Sequence, residues 1–451
     1  MKNISKYPRV LIIYNSRINK ADQHGVSIRG WFGDWPKENL AQIYSGGEVG
    51  EDVFCGFNFK LGQKERKFGR YFFKLKDSPI GQSSYPIKPD KYFTRLNKLG
   101  FWSLFKNKTS KFLINMGLWE LIFRPILSKG MIEFIERFDP QIIYCQGYSL
   151  TFSWLPVMVH KKFHIPVCFQ TGDDWPSYLY KDSPISLAIR PIVYRAVKSL
   201  LSVSTARLAN GKLMGEVFQK RYGMPFEPLM MCDDLNRFRA SIPHRVVSSD
   251  TLSIIYAGGL GHGRWVSIID LYKAAELLQS KGYKIMITAF ATEIPHEAVN
   301  KFEGLVNLQV LPGPSHEKLP SYLKGADILY LPETFDPIEA GVISLSVSTK
   351  AHLYMMSEKP VIVYASPATG IMNYAKEECW ACIVQEKDLD KLALALQNII
   401  TNHEYCKKLV NEGLKVALKN HDEYKVKARF LGILNKIKKT DLSKRLSQVD
   451  H

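Results

Sequence analysis

The sequence predicts an α/β protein built as two tandem Rossmann-like, doubly wound domains facing across a cleft. Three observations predict it. Short apolar runs alternate with helix-like stretches from Arg9 to Leu208, a second alternation of the same kind starts at Leu252, and the stretch between them, Gly223 to Asp250, is rich in Pro, Ser and Asp. A chain of 451 residues is long enough for two substantial cores. The expected division is a first domain over 1–235, a linker over 236–250, a second domain over 251–420, and a closing helix with a basic tail over 421–451.

In the first half, Arg9–Tyr14 reads as a strand followed by a polar loop. Gly25 in that loop lets a ligand approach the backbone, with Ser27 and Arg29 near it. Strands follow at Leu40–Tyr44 and Asp52–Phe57, and a helix-like stretch over Gly117–Arg137 leads into a strand at Gln141–Gln146. Next come an apolar helix, a strand at Ile165–Gln170, a helix near Ser186–Leu201 and a short strand near Ser202–Leu208. The second half offers strands at Leu252–Gly259, Tyr283–Phe290, Leu308–Gly313, Ala326–Pro332, Lys359–Ala365 and Cys382–Gln385, with helices between them and two more after Asp388. Such an order implies mainly parallel sheets covered on both faces, with ligands at the carboxyl ends of the strands.

Composition removes several classes. With 46% apolar and 23% charged residues the chain is neither disordered nor fibrous. No apolar run approaches the ~20 residues of a membrane span, and Val10 to Tyr14 is too short for a signal segment. A cytoplasmic protein is expected. Seven cysteines, an odd number, make no disulfide framework, and Cys379-Trp380-Ala381-Cys382 lacks the second ligand pair that zinc needs. No H-E-x-x-H or G-x-S-x-G occurs, and the one D-x-D, Asp388-Leu389-Asp390, opens a helix as a cap. No metal site is expected.

The net charge of +18 is unevenly spread. Residues 1–250 hold 37 Lys+Arg against 21 Asp+Glu, residues 251–400 hold 12 against 16, and residues 401–451 hold 12 against 6. The first half and the tail thus suit an anionic surface or substrate. Basic residues interleave with aromatics over Phe59–Lys76 and again over Phe101–Phe112, a pattern that meets anionic lipid headgroups or covers apolar surface with lysine stems. No helix-turn-helix or RNA-binding signature accompanies it, so no nucleic-acid partner is expected.

Three segments carry candidate chemistry. Tyr256–Trp265, YAGGLGHGRW, has glycines at 258, 259, 261 and 263 after a predicted strand and opens a helix; Gly258 and Gly259 allow close approach to an anion, and Arg264 adds a two-pronged cation. It is neither a P-loop nor G-x-G-x-x-G, and a Gly-rich turn with a surface arginine explains it equally well. In Ser344–Pro367, the residues Ser346, Val347, Ser348 and Thr349 precede Lys350, which is expected in the first turn of a helix running to about Ser357. The dipole disfavours a cation there and no acidic residue lies between Glu339 and Glu358, so a bound phosphate suits the position better than a solvated lysine does. In Gln170–Tyr180, the adjacent Asp173 and Asp174 precede Trp175 at a strand's carboxyl end; one is expected to cap the next helix and the other to face the cleft.

Together these pieces resemble the GT-B nucleotide-sugar glycosyltransferases, specifically the retaining family 4 type of bacterial surface-polysaccharide assembly. The resemblance runs through HGVSIRGWFGDWPKENLAQIY, DDWP, ARLANGKLMGEVFQKRYGMPF, YAGGLGHGR, LPETFD, SLSVSTKAHLYMMSEKPVIVYASP and NHDEYKVKARFLGIL. It implies that the second domain binds the diphosphate of a nucleotide-sugar donor and the first binds the acceptor. The implied donor-binding residues are Gly25, Gly258, Gly259, Ser346, Val347, Ser348 and Thr349; the implied catalytic residues are Arg264, Lys350 and Asp173; the implied acceptor-side residues are Gln146, Asp174 and Trp175. By the same resemblance the nucleotide sugar is a substrate rather than a cofactor, transfer proceeds with retention and without metal, and the acceptor is a glycan or polyprenyl-linked glycan at the inner membrane face, where the protein associates peripherally. The family commonly carries two glutamates, eight residues apart, where this chain has Leu345 and Leu353. That difference keeps open an inactive GT-B partner in a polysaccharide assembly complex, and a sugar-nucleotide epimerase is a further alternative.

Overall fold

The computed structural model describes residues 6–18, 23–46, 53–68, 113–114, 116–291 and 294–449. The basic stretch Phe101–Phe112 and residues 69–76 of Phe59–Lys76 lie outside the described residues. The chain divides into two compact units, one of residues 1–229 with 427–451 and one of residues 230–426.

The first unit is a seven-stranded parallel sheet in the order β3-β2-β1-β4-β5-β6-β7. Its strands are β1 (Val10–Ile13), β2 (Leu40–Tyr44), β3 (Phe57–Lys60), β4 (Ile142–Cys145), β5 (Val167–Thr171), β6 (Ser204–Ala209) and β7 (Glu227–Pro228). The four central strands β2, β1, β4 and β5 are buried at every position, which is why they read as largely apolar runs rather than as alternating ones, with Gln42 and Gln170 among the buried polar exceptions. Asp52–Phe57 was expected to be a strand, but pairing begins at Phe57 opposite Ala41. The backbone of Gly56 is pressed onto Lys37, where a Cβ would sit 2.5 Å from the Lys37 carbonyl oxygen, so the chain enters the ladder only after that contact.

Two helical expectations in this unit need correction. The polar loop after β1 is a helix, Gln23–Phe32, so Gly25 lies in a first helical turn. Ile28, Trp31 and Phe32 form its buried stripe. The Gly117–Arg137 stretch is not continuous: a single turn at Trp119–Ile122 is separated from the helix Lys129–Phe138 by the stretch containing Pro125, whose ring cannot continue a helix. The closing helix Glu423–Val449 enters this unit at Lys427. There Phe430 is fully buried and meets Phe32 edge-on at 4.9 Å.

The second unit is a six-stranded parallel sheet in the order β10-β9-β8-β11-β12-β13, made of β8 (Leu252–Ala257), β9 (Ile285–Phe290), β10 (Leu308–Leu311), β11 (Ile328–Pro332), β12 (Val361–Tyr364) and β13 (Cys382–Val384). Strand periodicity divides its interior into two layers. Ile255, Leu329, Leu331, Val361 and Val363 pack on one face, while Ile254, Tyr256, Ile328, Tyr330, Ile362 and Tyr364 pack on the other. The segment read as a linker begins with a helix, Leu235–Ala240, whose Phe238 is buried in the first of these layers. The seven cysteines are thiols, not joined in disulfides, and Asp388 caps its helix through the Lys391 N–H. No helix among the described residues is long and apolar enough to cross a membrane.

Candidate functional site

In both sheets the strand order reverses beside the first strand of the unit, at β1/β4 and at β8/β11. Loops leaving the carboxyl ends of such neighbours diverge and leave room for a ligand. At β8/β11 the two loops are Gly258–Gly263 and the residues from Glu333 onward.

The glycine loop is pinned from below by two buried tyrosines. The Tyr256 hydroxyl donates to the Gly259 carbonyl at 2.5 Å, and the Ala257 N–H donates to the Tyr354 hydroxyl at 2.8 Å. Gly259 and Gly261 have nothing within 4 Å of where a Cβ would stand, so that side of the loop is open. Gly263 has φ 71°, and a side chain there would press on Thr334 Oγ1 at 2.8 Å. From this left-handed cap the helix Arg264–Gln279 starts without a side-chain cap, and its first N–H groups donate to carbonyls of the glycine loop: Arg264 to Gly261 at 3.3 Å, Trp265 to Leu260 at 3.2 Å and Val266 to Gly263 at 3.1 Å.

Arg264 is the first residue of that helix. Its Nε donates to Glu333 Oε2 at 2.6 Å, Nη1 makes only a 3.4 Å contact with the Gly261 carbonyl, and Nη2 makes no hydrogen bond among the described residues. Burial opposes the charge on Arg264, but Glu333, Tyr256 and Glu339 outweigh it and raise its pKa. Lys350 lies beside it. Its ammonium sits over the Tyr256 ring, 5.7 Å from the centroid, and makes no hydrogen bond or ion pair among the described residues. Burial, then repulsion from Arg264, pulls its pKa down to about 8 against a smaller upward pull from Glu333.

Lys350 is the cap residue of the helix Ala351–Met356 rather than a member of its first turn. The hydroxyls before it do not cap: no side chain bonds to the end of that helix. Ser346 Oγ is shielded and has no hydrogen-bond partner, Ser348 is half-buried, and Thr349 is exposed. Val347 packs against the core. Two cations and an open glycine turn therefore gather at one strand-end, with Gly258 making room for the lysine stem. A Cβ at Gly258 would stand 2.7 Å from Lys350 Cδ and 3.1 Å from Cε. Gly258→Ala should push aside the flexible lysine and press on the Tyr256 hydroxyl, 3.0 Å away, with some strain at φ 158°. We expect the fold to hold and affinity for inorganic diphosphate to fall about tenfold by calorimetry, roughly 1.4 kcal/mol; unchanged affinity would show that Lys350 takes no part.

Glu333, which sequence reasoning quoted within LPETFD but did not assign, completes this site. Its signal was position: a carboxylate directly after the strand beside β8.

In the first unit, Gln146 follows β4, and Asp173, Asp174 and Trp175 follow β5. Asp174 stands at the cap position of the short helix Trp175–Tyr178, yet its carboxylate is taken by Arg221, at 2.5 and 2.8 Å, and by the Ser177 hydroxyl at 2.6 Å. Asp173 Oδ1 accepts the Trp175 N–H at 3.0 Å. Burial and then the Asp173 carboxylate keep the Tyr178 hydroxyl protonated. Gln146 Nε2 donates to Gln170 Oε1 at 2.5 Å, while Gln146 Oε1 and Trp175 Nε1 are buried without a hydrogen-bond partner. Gly25 is buried in its helix, apart from these strand-end loops in the sequence.

The sequence matches no protein-family model, and no curated protein matches it. Solved structures do match. An α,α-trehalose 6-phosphate synthase from Burkholderia multivorans aligns with TM-score 0.61 at 11% identity, over 99% of this chain and 99% of that one. HepE of Anabaena, in complex with UDP, aligns with TM-score 0.60 at 10% identity over 95% and 100%. A sucrose-phosphate synthase from Thermosynechococcus elongatus gives 0.59 at 12% identity over 95% and 99%. The fold is GT-B. In this GT-B chain the second Rossmann-like unit carries the cationic strand-end, and the first carries the unmet polar groups of Gln146 and Trp175.

Proposed function

We propose that this chain is a glycosyltransferase of GT-B type that takes a nucleotide sugar as donor. The observation that carries the proposal is the pairing of Arg264 with Lys350 beside an open glycine turn. Such a group holds a diphosphate, and it stabilises most strongly the charge that grows as the sugar–phosphate bond breaks. HepE was solved with UDP, and with UDP and glucose, which supports a nucleotide sugar as the ligand of this fold.

The finer proposal is transfer with retention and without metal. The glycosyl–oxygen bond ionises, Arg264 and Lys350 take up the leaving diphosphate, and the acceptor hydroxyl attacks on the same face while a phosphate oxygen receives its proton. Asp173, Gln146 and Trp175 line the acceptor in the first unit; Asp174, engaged by Arg221, holds that loop in shape. A lipid-linked glycan at an anionic membrane surface suits the positive first half of the sequence.

A thermal-shift panel of UDP-, GDP-, CMP- and dTDP-sugars tests the donor. One base should raise the melting temperature by several degrees, since a ligand at one hundred times its Kd adds about 2.7 kcal/mol. No shift with any of them, or with inorganic diphosphate at millimolar concentration, would end the proposal. The alternative, a non-catalytic partner, is favoured by one observation: Leu345 is buried and Leu353 packs into the core, so no carboxylate stands at either place. Slow hydrolysis of the bound donor in the absence of acceptor decides for the enzyme.

A further inference from the structure

We propose that Glu333 is a positioning residue of the diphosphate site: its carboxylate grips Nε of Arg264 and so presents the outer edge of the guanidinium, with Nη1 and Nη2, to the anion beside Lys350. This rests on the donor site proposed above and adds to it a residue that acts through another.

A carboxylate so close to an anion site is at first sight misplaced, because it repels the ligand. Three features account for it. Glu333 is held at both ends of its backbone, its N–H donating to the Tyr364 carbonyl at 3.0 Å and its carbonyl accepting the Ser267 hydroxyl at 2.8 Å. Its side chain is 3% exposed and that of Arg264 16%, so the pair forms a fixed unit within the protein. The bond is made to Nε alone, which leaves the two-pronged edge of the arginine available for phosphate oxygens.

Arg264 also stands where a cation is least welcome, at the start of a helix and next to Lys350. The Glu333 charge offsets both. Among the described residues, the charged groups that act on the lysine are Arg264, on the helix after the glycine loop, and Glu333, after β11. Tyr256 lies beneath, and His262 paired with Glu339 flanks the loop. On the lysine's own segment, the buried His352 is held neutral.

The test compares Glu333→Gln and Glu333→Ala with the unchanged chain, by calorimetric titration of inorganic diphosphate from pH 6.5 to 9.5, after melting curves confirm that each is folded. The glutamine keeps an acceptor for the Nε proton, so its Kd at pH 6.5 should stay within about threefold, while alanine frees the arginine and weakens binding about tenfold or more. In both variants the alkaline loss of binding should move to lower pH, because Lys350 loses its nearest negative charge. Alanine binding as tightly as the unchanged chain would overturn the proposal. So would equal weakening in both variants with the alkaline limb unmoved, the mark of a merely structural role. The pH dependence of Lys350 acylation, read by mass spectrometry without ligand, separates the two claims. If no form of the protein binds diphosphate, the donor site falls; an acylation profile that still shifts in Glu333→Gln then supports the coupling, and one that does not overturns it.

Discussion

Replacing Lys350 by methionine should abolish most of the affinity for diphosphate and, at pH 7, make the protein more stable. The two effects have one cause. An ammonium held mostly out of water beside Arg264 is a penalty in the folded state, and only an anion relieves it. With a folded pKa of about 8 against an unfolded value near 10.4, the unfolded chain binds the extra proton between those two values. Stability of the unchanged chain therefore rises with pH through that window, and below it the penalty is present in full. Methionine matches the lysine stem in length and packs against the same wall of Gly258 and Tyr256. After allowance for partial solvent contact and for the lost contact with the Tyr256 ring, the gain should be about 1 kcal/mol, or roughly 2–4 °C in melting temperature. The Kd for diphosphate should rise about a hundredfold, some 2.7 kcal/mol, and the affinity that the unchanged chain loses above pH 8 should be missing from the variant at every pH.

Arg264 makes the contrasting case. Arg264→Met should weaken diphosphate comparably, but it leaves the Glu333 carboxylate buried without its partner and should destabilise the second unit by about 3 kcal/mol. The ion pair with Glu333 makes removal of the arginine costlier to the fold than removal of the lysine. Melting curves at pH 7 together with diphosphate titrations check both variants. A Lys350→Met protein that is less stable than its parent would make the lysine a structural residue and remove it from the site.

Much of the fold was legible because covered parallel strands announce themselves as apolar runs; Leu40–Tyr44 was placed to the residue. The helix Gln23–Phe32 was not, since Gly25, Ser27 and Gly30 are weak helix formers and masked the helical spacing of Ile28, Trp31 and Phe32. Local sequence also placed the glycine turn and Lys350 near a helix start, one residue from where it lies. Long-range pairing was what it could not supply. Arg264 and Glu333 are 69 residues apart and Asp174 and Arg221 are 47 apart, and nothing in either neighbourhood names the partner. Two adjacent aspartates looked alike until one of them met an arginine.

Gly370→Ala should damage the same site without touching a charge. Gly370 opens the helix Gly370–Glu378, and its N–H donates to the Ile343 carbonyl at 3.1 Å, holding the loop that runs through Ser346 to Lys350. A Cβ at this position would stand 2.6 Å from the Ser346 carbonyl oxygen and 2.7 Å from both Leu345 C and Ser346 N. All three are backbone atoms, so no side chain can turn aside to make room and the loop itself has to move. Overpacking of this kind costs about 2–4 kcal/mol, enough to lower the melting temperature by roughly 5–10 °C. Displacing the loop also displaces Ser346 Oγ and Lys350, so diphosphate affinity should fall by about tenfold or more. Gly259→Ala is the matched control: nothing lies within 4 Å of its added methyl, and a near-neutral melting temperature is expected there. If Gly370→Ala melts with its parent and binds diphosphate equally well, the loop has slack that this backbone contact denies, and Lys350 is not held in place by it.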